Sequence, residues 1–192
     1  DSLSSEAKET NSINTIYCAD GRLIGHNTDI AGFELSIRHC KYNANKKKAL
    51  IIGAGGVVPS IIVALKKMNI EKIFVKNRSE NNALNLKKKF PEINLIDWNK
   101  TIDVDMIINA TSIGLKKGEK LDIDLKKFGE NKFFYDVIYN PKETNFLLDA
   151  RKLGNLAENG KMMFIYQAHQ AFSVWHKIFP VIDDEVIGIV EK

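Results

Sequence analysis

The chain has 192 residues, 44% of them hydrophobic and 27% charged, enough for one sizeable domain or one domain plus part of another around a buried core. Its net charge of +4 comes from scattered lysines, as in Lys46-Lys47-Lys48 and Lys87-Lys88-Lys89, and no aromatics interleave with them, which argues for solvated faces and against a nucleic-acid partner. No apolar run approaches the roughly 20 residues that cross a bilayer and no signal peptide is evident, while Cys18 and Cys40 have neither C-x-x-C nor metal spacing, as expected of reduced thiols in a cytoplasmic protein.

The chain opens on Asp1 rather than Met, so a piece of a longer protein is expected. Ser4 or Ser5 can cap a short helix near Glu6. Ser12 to Tyr17 alternates, and Asp20-Gly21 turns it into Leu23-Ile24-Gly25, a β-hairpin. A helical pattern follows through Ile30, Phe33 and Ile37. The polar, basic stretch from Tyr42 to Lys48 marks a composition shift, and a domain boundary is placed near residue 46. Ala49-Leu50-Ile51-Ile52 is an apolar run that breaks into Gly53-Ala54-Gly55-Gly56, and an amphipathic helix follows through Ile61, Ile62, Leu65 and Met68. That is the pattern of a buried strand feeding a helix through a glycine turn.

Further strands are expected at 72–76, 93–96, 105–109 and 133–137. Between the first two lies a helix capped by the Ser79 hydroxyl. Helices are also expected at 143–153, from Gly160 to about Ile178, and at 183–190. The alternation predicts an α/β fold with a doubly wound, Rossmann-like parallel sheet. Residues 1–46 would be the remnant of an N-terminal α/β domain, 47–158 the nucleotide domain and 159–192 closing helices.

In such folds the ligand lies across the carboxyl ends of the strands. The first end gives the glycine turn, where free amides and the helix dipole suit a pyrophosphate. The second gives Asn77-Arg78-Ser79, where an NAD site would place a carboxylate on the ribose hydroxyls roughly 20 residues after the glycines. No Asp or Glu ends this strand, and Arg78 can hold a phosphate, so NADP is favoured over NAD. Asn109-Ala110-Thr111-Ser112 and then Val137 and Tyr139 follow the later strands. Near the N-terminus, Asn27 and Asp29 bracket Thr28 before a helix. Capping needs one of them, which leaves the other to orient a substrate hydroxyl or hold a protonated base. His26, His39, His169 and His176 form no zinc motif, and no metal is expected.

Together these pieces resemble shikimate dehydrogenase nearly end to end. The resemblance is carried by Leu3-Ser4-Ser5-Glu6-Ala7, Ile13-Asn14-Thr15, Gly25 to Phe33, Gly53 to Gly56, Asn77-Arg78-Ser79 and Asn109 to Ser112. It continues through Tyr135 to Tyr139, Asn159-Gly160 and Gln167 to Trp175. It implies reduction of 3-dehydroshikimate to shikimate with NADPH, in aromatic amino acid synthesis, at a cleft between a substrate domain and a dinucleotide domain. It also implies that Asn14 and Asp29 bind substrate hydroxyls, Asp29 pairing with a catalytic lysine, with Tyr139 and Gln167 lining the substrate. Gly53, Ala54, Gly55, Gly56 and Val57 would hold the pyrophosphate, and Asn77, Arg78 and Ser79 the 2′-phosphate. The backbone around Val137 and Gly160 would lie near the nicotinamide. Asn109 and Thr111, by their own small polar side chains, suit hydrogen bonds beside the ribose and nicotinamide.

The family's catalytic lysine and its paired serines fall upstream of the segment matching Leu3 to Ala7, so these 192 residues are expected to be catalytically impaired. Asn11-Ser12 replaces the usual Gly-Ala, and Val58 takes a position usually Gly or Ala, which would loosen helix–strand contact. Relatives acting on quinate or an aminated shikimate, and a non-catalytic NADP-binding module, are the alternative readings.

Overall fold

The computed structural model describes residues 1–190. Two compact units emerge: Asp1–Asn43 with Pro59–Ala64 and the residues from Lys161 onward, and Ala44–Val58 with Leu65–Gly160.

In the first unit, β1 (Ser2–Leu3) leads into α1 (Ser5–Thr10), whose first turn is capped by the Ser4 hydroxyl accepting from the Ala7 amide at 3.2 Å. Asn11 ends that helix in the left-handed region at φ 50°, which explains why a residue tolerant of that conformation stands where the family has glycine. The hairpin of β2 (Thr15–Ala19) and β3 (Arg22–His26) turns through Asp20 and Gly21, both at positive φ. That is the turn matched to strand twist. The three strands form a small sheet in the order β1-β3-β2. α2 (Asp29–His39) buries Ile30, Phe33 and Ile37.

The second unit is built on β4 (Lys48–Ile52), α3 (Val58–Lys67), β5 (Lys72–Lys76), α4 (Glu80–Lys89), β6 (Asn94–Leu95), β7 (Met106–Asn109), β8 (Phe133–Asp136), α5 (Asn145–Lys152) and β9 (Leu156–Glu158). Its sheet has the order β6-β5-β4-β7-β8-β9, and every pair is parallel. The order reverses beside β4, the switch point where such sheets bind ligands. β4, β7 and β8 are buried almost throughout, as strands covered on both faces must be. One face carries a core of Leu50, Ile52, Ile107, Phe134, Phe146 and Leu147. α6 (Lys161–His176) and α7 (Asp184–Ile189) return to the first unit. There α2 and α6 approach closely enough that a Cβ on Gly32 would stand 2.8 Å from the Gln167 Cβ.

The sequence reading misses β9. Of its three residues only Ala157 is buried, so no apolar run announces it, and its strand character comes from pairing with β8. The expected capping by Ser79 is also corrected. Ser79 occupies the cap position, but its side chain makes no capping bond, and its carbonyl instead accepts from Asn77 Nδ2 at 2.7 Å. Val58 is fully buried at the start of α3.

Asp136 ends β8 with no solvent exposure. One carboxylate oxygen accepts from the Ile138 amide and from Asn109 Nδ2, both at 3.1 Å, and the other from the Thr144 hydroxyl at 2.7 Å. Burial raises its pKa, against the lowering effect of those bonds. The native state thus holds the proton more tightly than the unfolded chain. This group's contribution to stability therefore declines as pH rises from the ordinary carboxylate range through the raised value. Asp136→Ala is expected to cost at least about 2 kcal/mol, because three buried donors lose their acceptor. Asp136→Asn should fold and lose that decline, as urea unfolding between about pH 4 and 8 will show.

Candidate functional site

Gly53 leaves β4 at φ +119°, and a Cβ on it would meet the Ala110 carbonyl oxygen at 2.7 Å. No other residue fits this corner. Its amide donates to the Lys76 carbonyl at 2.8 Å, tying the turn to the end of β5. Gly55 and Gly56 differ in kind. A Cβ on Gly55 would come only within 4.0 Å of the Ala110 oxygen, and one on Gly56 would meet nothing within 4 Å. Both are exposed. Among the described residues, the amides of Ala54, Gly55, Gly56 and Val57 have no acceptor within the chain. Four free donors before a ten-residue helix and an open floor make a cradle for an anion.

β5 runs beside β4 with Lys76 opposite Ile52, so the Asn77-Arg78-Ser79 loop emerges at the same edge as the glycine turn. The exposed Arg78 is joined there by the uncapped Ser79 hydroxyl. Val137 and Gly160 are also brought together. The Gly160 amide donates to the Ile138 carbonyl at 3.0 Å, and a Cβ there would overlap the Val137 oxygen at 2.1 Å.

Asn109 is a correction. Its side chain was expected beside a ribose but is fully buried. Its amide nitrogen donates to Asp136 and to the Ile113 carbonyl, and its oxygen accepts from the Thr111 amide and hydroxyl. Thr111, in turn, spends its hydroxyl on Asn109 at 2.7 Å and on the Ile113 amide at 3.1 Å. These side chains brace the loop after β7. Tyr139 stands past β8 at 41% exposure.

In the first unit the bracketing pair before α2 divides its work. Asn27, 1% exposed, accepts from the Ile30 amide at 3.3 Å and from the Ser60 hydroxyl at 3.2 Å. Thr28 holds the cap position without a side-chain capping bond, and Asn27, one residue earlier, satisfies the first turn in its place, so Asp29 is left for other use. Asn14 Nδ2 donates to Asp29 at 2.8 Å and to Thr28 Oγ1 at 3.0 Å, while Asn14 Oδ1 accepts from the Thr28 amide at 3.0 Å. Thr28 Oγ1 also reaches Gln167 Oε1 at 3.4 Å. Asn14 and Gln167 thus meet at Thr28, and Asn14 links Thr28 to Asp29; sequence reasoning passed over Thr28 as the residue between two candidates. Burial raises the Asp29 pKa, and the Asn14 bond opposes it. Among the described residues no ammonium pairs with Asp29. The sequence also gave no weight to Asp136, although an acid closing an apolar strand was a signal available to it.

Residues 34–141 match the family model described as shikimate / quinate 5-dehydrogenase. The chain is 59% identical over 191 residues to a shikimate dehydrogenase (NADP(+)) of Pelagibacter ubique, covering 100% of this chain and 72% of that protein. Its structure is similar to that of shikimate 5-dehydrogenase from Thermus thermophilus in complex with NADP(H) and shikimate, with a TM-score of 0.88, 28% identity and coverage of 100% of this chain and 71% of that one. It is also similar to the Listeria monocytogenes enzyme in complex with shikimate and NAD, with a TM-score of 0.85, 25% identity and coverage of 99% and 71%.

The two glycine types should separate on mutation. Gly53→Ala is expected to destabilise by about 2 kcal/mol or more, from the strained φ and the Ala110 clash. Gly56→Ala should leave stability within about 0.5 kcal/mol while weakening dinucleotide binding. Thermal unfolding and nucleotide titration of both variants check this.

Proposed function

The chain belongs to the shikimate / quinate 5-dehydrogenase family, and from that premise we propose that it binds NADP and serves the reversible reduction of 3-dehydroshikimate to shikimate. The observation that carries the cofactor reading is the pairing of two strand ends. The cradle at Gly55-Gly56 supplies four unbonded amides, and the neighbouring loop offers a guanidinium and a hydroxyl where an NAD site would have a carboxylate. Glu80 follows directly but lies in the first turn of α4, where the helix dipole already favours a negative charge. The residues present therefore fit the group.

When bound, the dinucleotide supplies the hydride. The chain's own residues hold and orient. Ala54 to Val57 bind the pyrophosphate, Asn77 to Ser79 the 2′-phosphate, and the Val137–Gly160 contact presents backbone groups to the nicotinamide. Asn14 and Asp29 bind substrate hydroxyls, with Gln167 of the same unit as a further contact, and the family resemblance adds Tyr139. Asn14, itself held by Thr28, donates to Asp29 and steadies its carboxylate. Burial makes its ionised form costly, and a cation beside it would stabilise that form and could donate the proton that the alkoxide needs. Since no ammonium pairs with Asp29 among the described residues, these 192 residues alone are expected to bind NADP with little turnover. Activity on quinate or an aminated shikimate is the alternative within the family. A nucleotide-binding module without catalysis fits less well, because it would need no Asn14–Thr28–Asp29–Gln167 network.

No helix among the described residues is long and apolar enough to cross a membrane; neither Cys18 nor Cys40 is in a disulfide, which accords with the cytoplasmic site of action proposed here.

Arg78→Ala tests the phosphate assignment. Loss of a charge-assisted contact is expected to weaken NADP by about 1.5–3 kcal/mol and leave NAD unchanged. Equal binding of NADP by variant and parent would contradict it, and paired titrations with both cofactors decide.

A further inference from the structure

Lys76 closes β5, and its side chain shares a face with that of Phe74, two residues earlier. Phe74 packs against the core of the second unit, and Lys76 is only 1% exposed. Its ammonium has one acceptor, the Lys100 carbonyl, and among the described residues no carboxylate pairs with it. A buried cation that spends one of three N–H groups on a neutral carbonyl is costly for a merely structural tie. Burial, and then Lys127, push it towards the neutral form.

Its position gives that cost a purpose. The Lys76 carbonyl accepts the Gly53 amide at 2.8 Å. Its ammonium holds the loop that follows β6, whose first residue, Ile96, donates to the Val75 carbonyl at 2.9 Å. The chain then runs directly into Asn77-Arg78-Ser79. One residue thus joins three loops at the carboxyl edge of adjacent strands, and those loops form the adenosine side of the cradle.

We propose that Lys76 is a positioning residue for the cofactor's 2′-phosphate, fixing the three loops and adding a second positive charge two residues before Arg78. This rests on the NADP reading above. The charge acts through the field, without touching the phosphate, and it is shielded from solvent ions by its burial. A dianion nearby stabilises the ammonium form that burial disfavours.

The test compares adenosine 2′,5′-bisphosphate with AMP, which differ only by the 2′-phosphate, as ligands of the 192-residue chain. Lys76→Met is expected to weaken the bisphosphate about threefold to tenfold and leave AMP within about twofold. Lys76→Gln, which keeps a donor for the Lys100 carbonyl, should do the same and decides the matter if the Met variant unfolds. Equal loss of both ligands, or no loss, would overturn the proposal. Arg78→Ala, at an exposed position that folding does not depend on, supplies the independent arm. A reduced but residual bisphosphate preference, removed by adding Lys76→Met or Lys76→Gln, supports both readings. Complete loss in Arg78→Ala alone overturns the role of Lys76 and keeps that of Arg78. No change in Arg78→Ala overturns the NADP reading itself.

Discussion

The corner at Gly53 is the constraint on which the cofactor half depends. β4 is hydrogen-bonded on both sides, to β5 and β7, and must end where it meets the Ala110 carbonyl. A side chain there would displace that carbonyl, so the chain turns at positive φ. The next four amides are left without acceptors, and α3 begins with its positive dipole end beside them. The same contact holds the loop after β7 in place, and Asn109, Thr111 and Asp136 brace that loop from within. Electrostatic preference is therefore built on a backbone that packing has already fixed.

A second principle is division of labour between adjacent polar residues. Asn27 satisfies the start of α2, which frees Asp29. Asn109 and Asp136 satisfy each other, and Ser79 leaves its hydroxyl unspent beside Arg78. At the start of α2 a buried group does structural work so that its neighbour need not, and the neighbour is the candidate ligand contact. Lys76 departs from this pattern, since it is buried and only partly satisfied.

Much of the fold was legible because its signals are local and redundant. Apolar runs gave β4, β5, β7 and β8, Asp20-Gly21 gave the hairpin, and 3.6-residue periodicity gave α2 and α3. β9 was not legible, since only pairing with β8 makes its three residues a strand. The glycine turn was readable as a phosphate site, whereas the split between Gly53 as a steric necessity and Gly55-Gly56 as open floor required the Ala110 carbonyl in place. Asn109 was misread for a related reason. A small polar residue at a strand end looks the same in sequence whether it faces a ligand or a buried carboxylate. Lys76 drew no notice in the sequence, because a lysine closing a strand shows its burial only once the sheet is assembled.

The central claim is that these residues carry a dinucleotide site tuned to a 2′-phosphate. Calorimetric titration of the 192-residue chain with NADP and, separately, with NAD tests it most directly. The account predicts one saturable site with NADP bound about tenfold or more tightly than NAD. Equal affinity for the two, or no saturable binding of NADP, would contradict it.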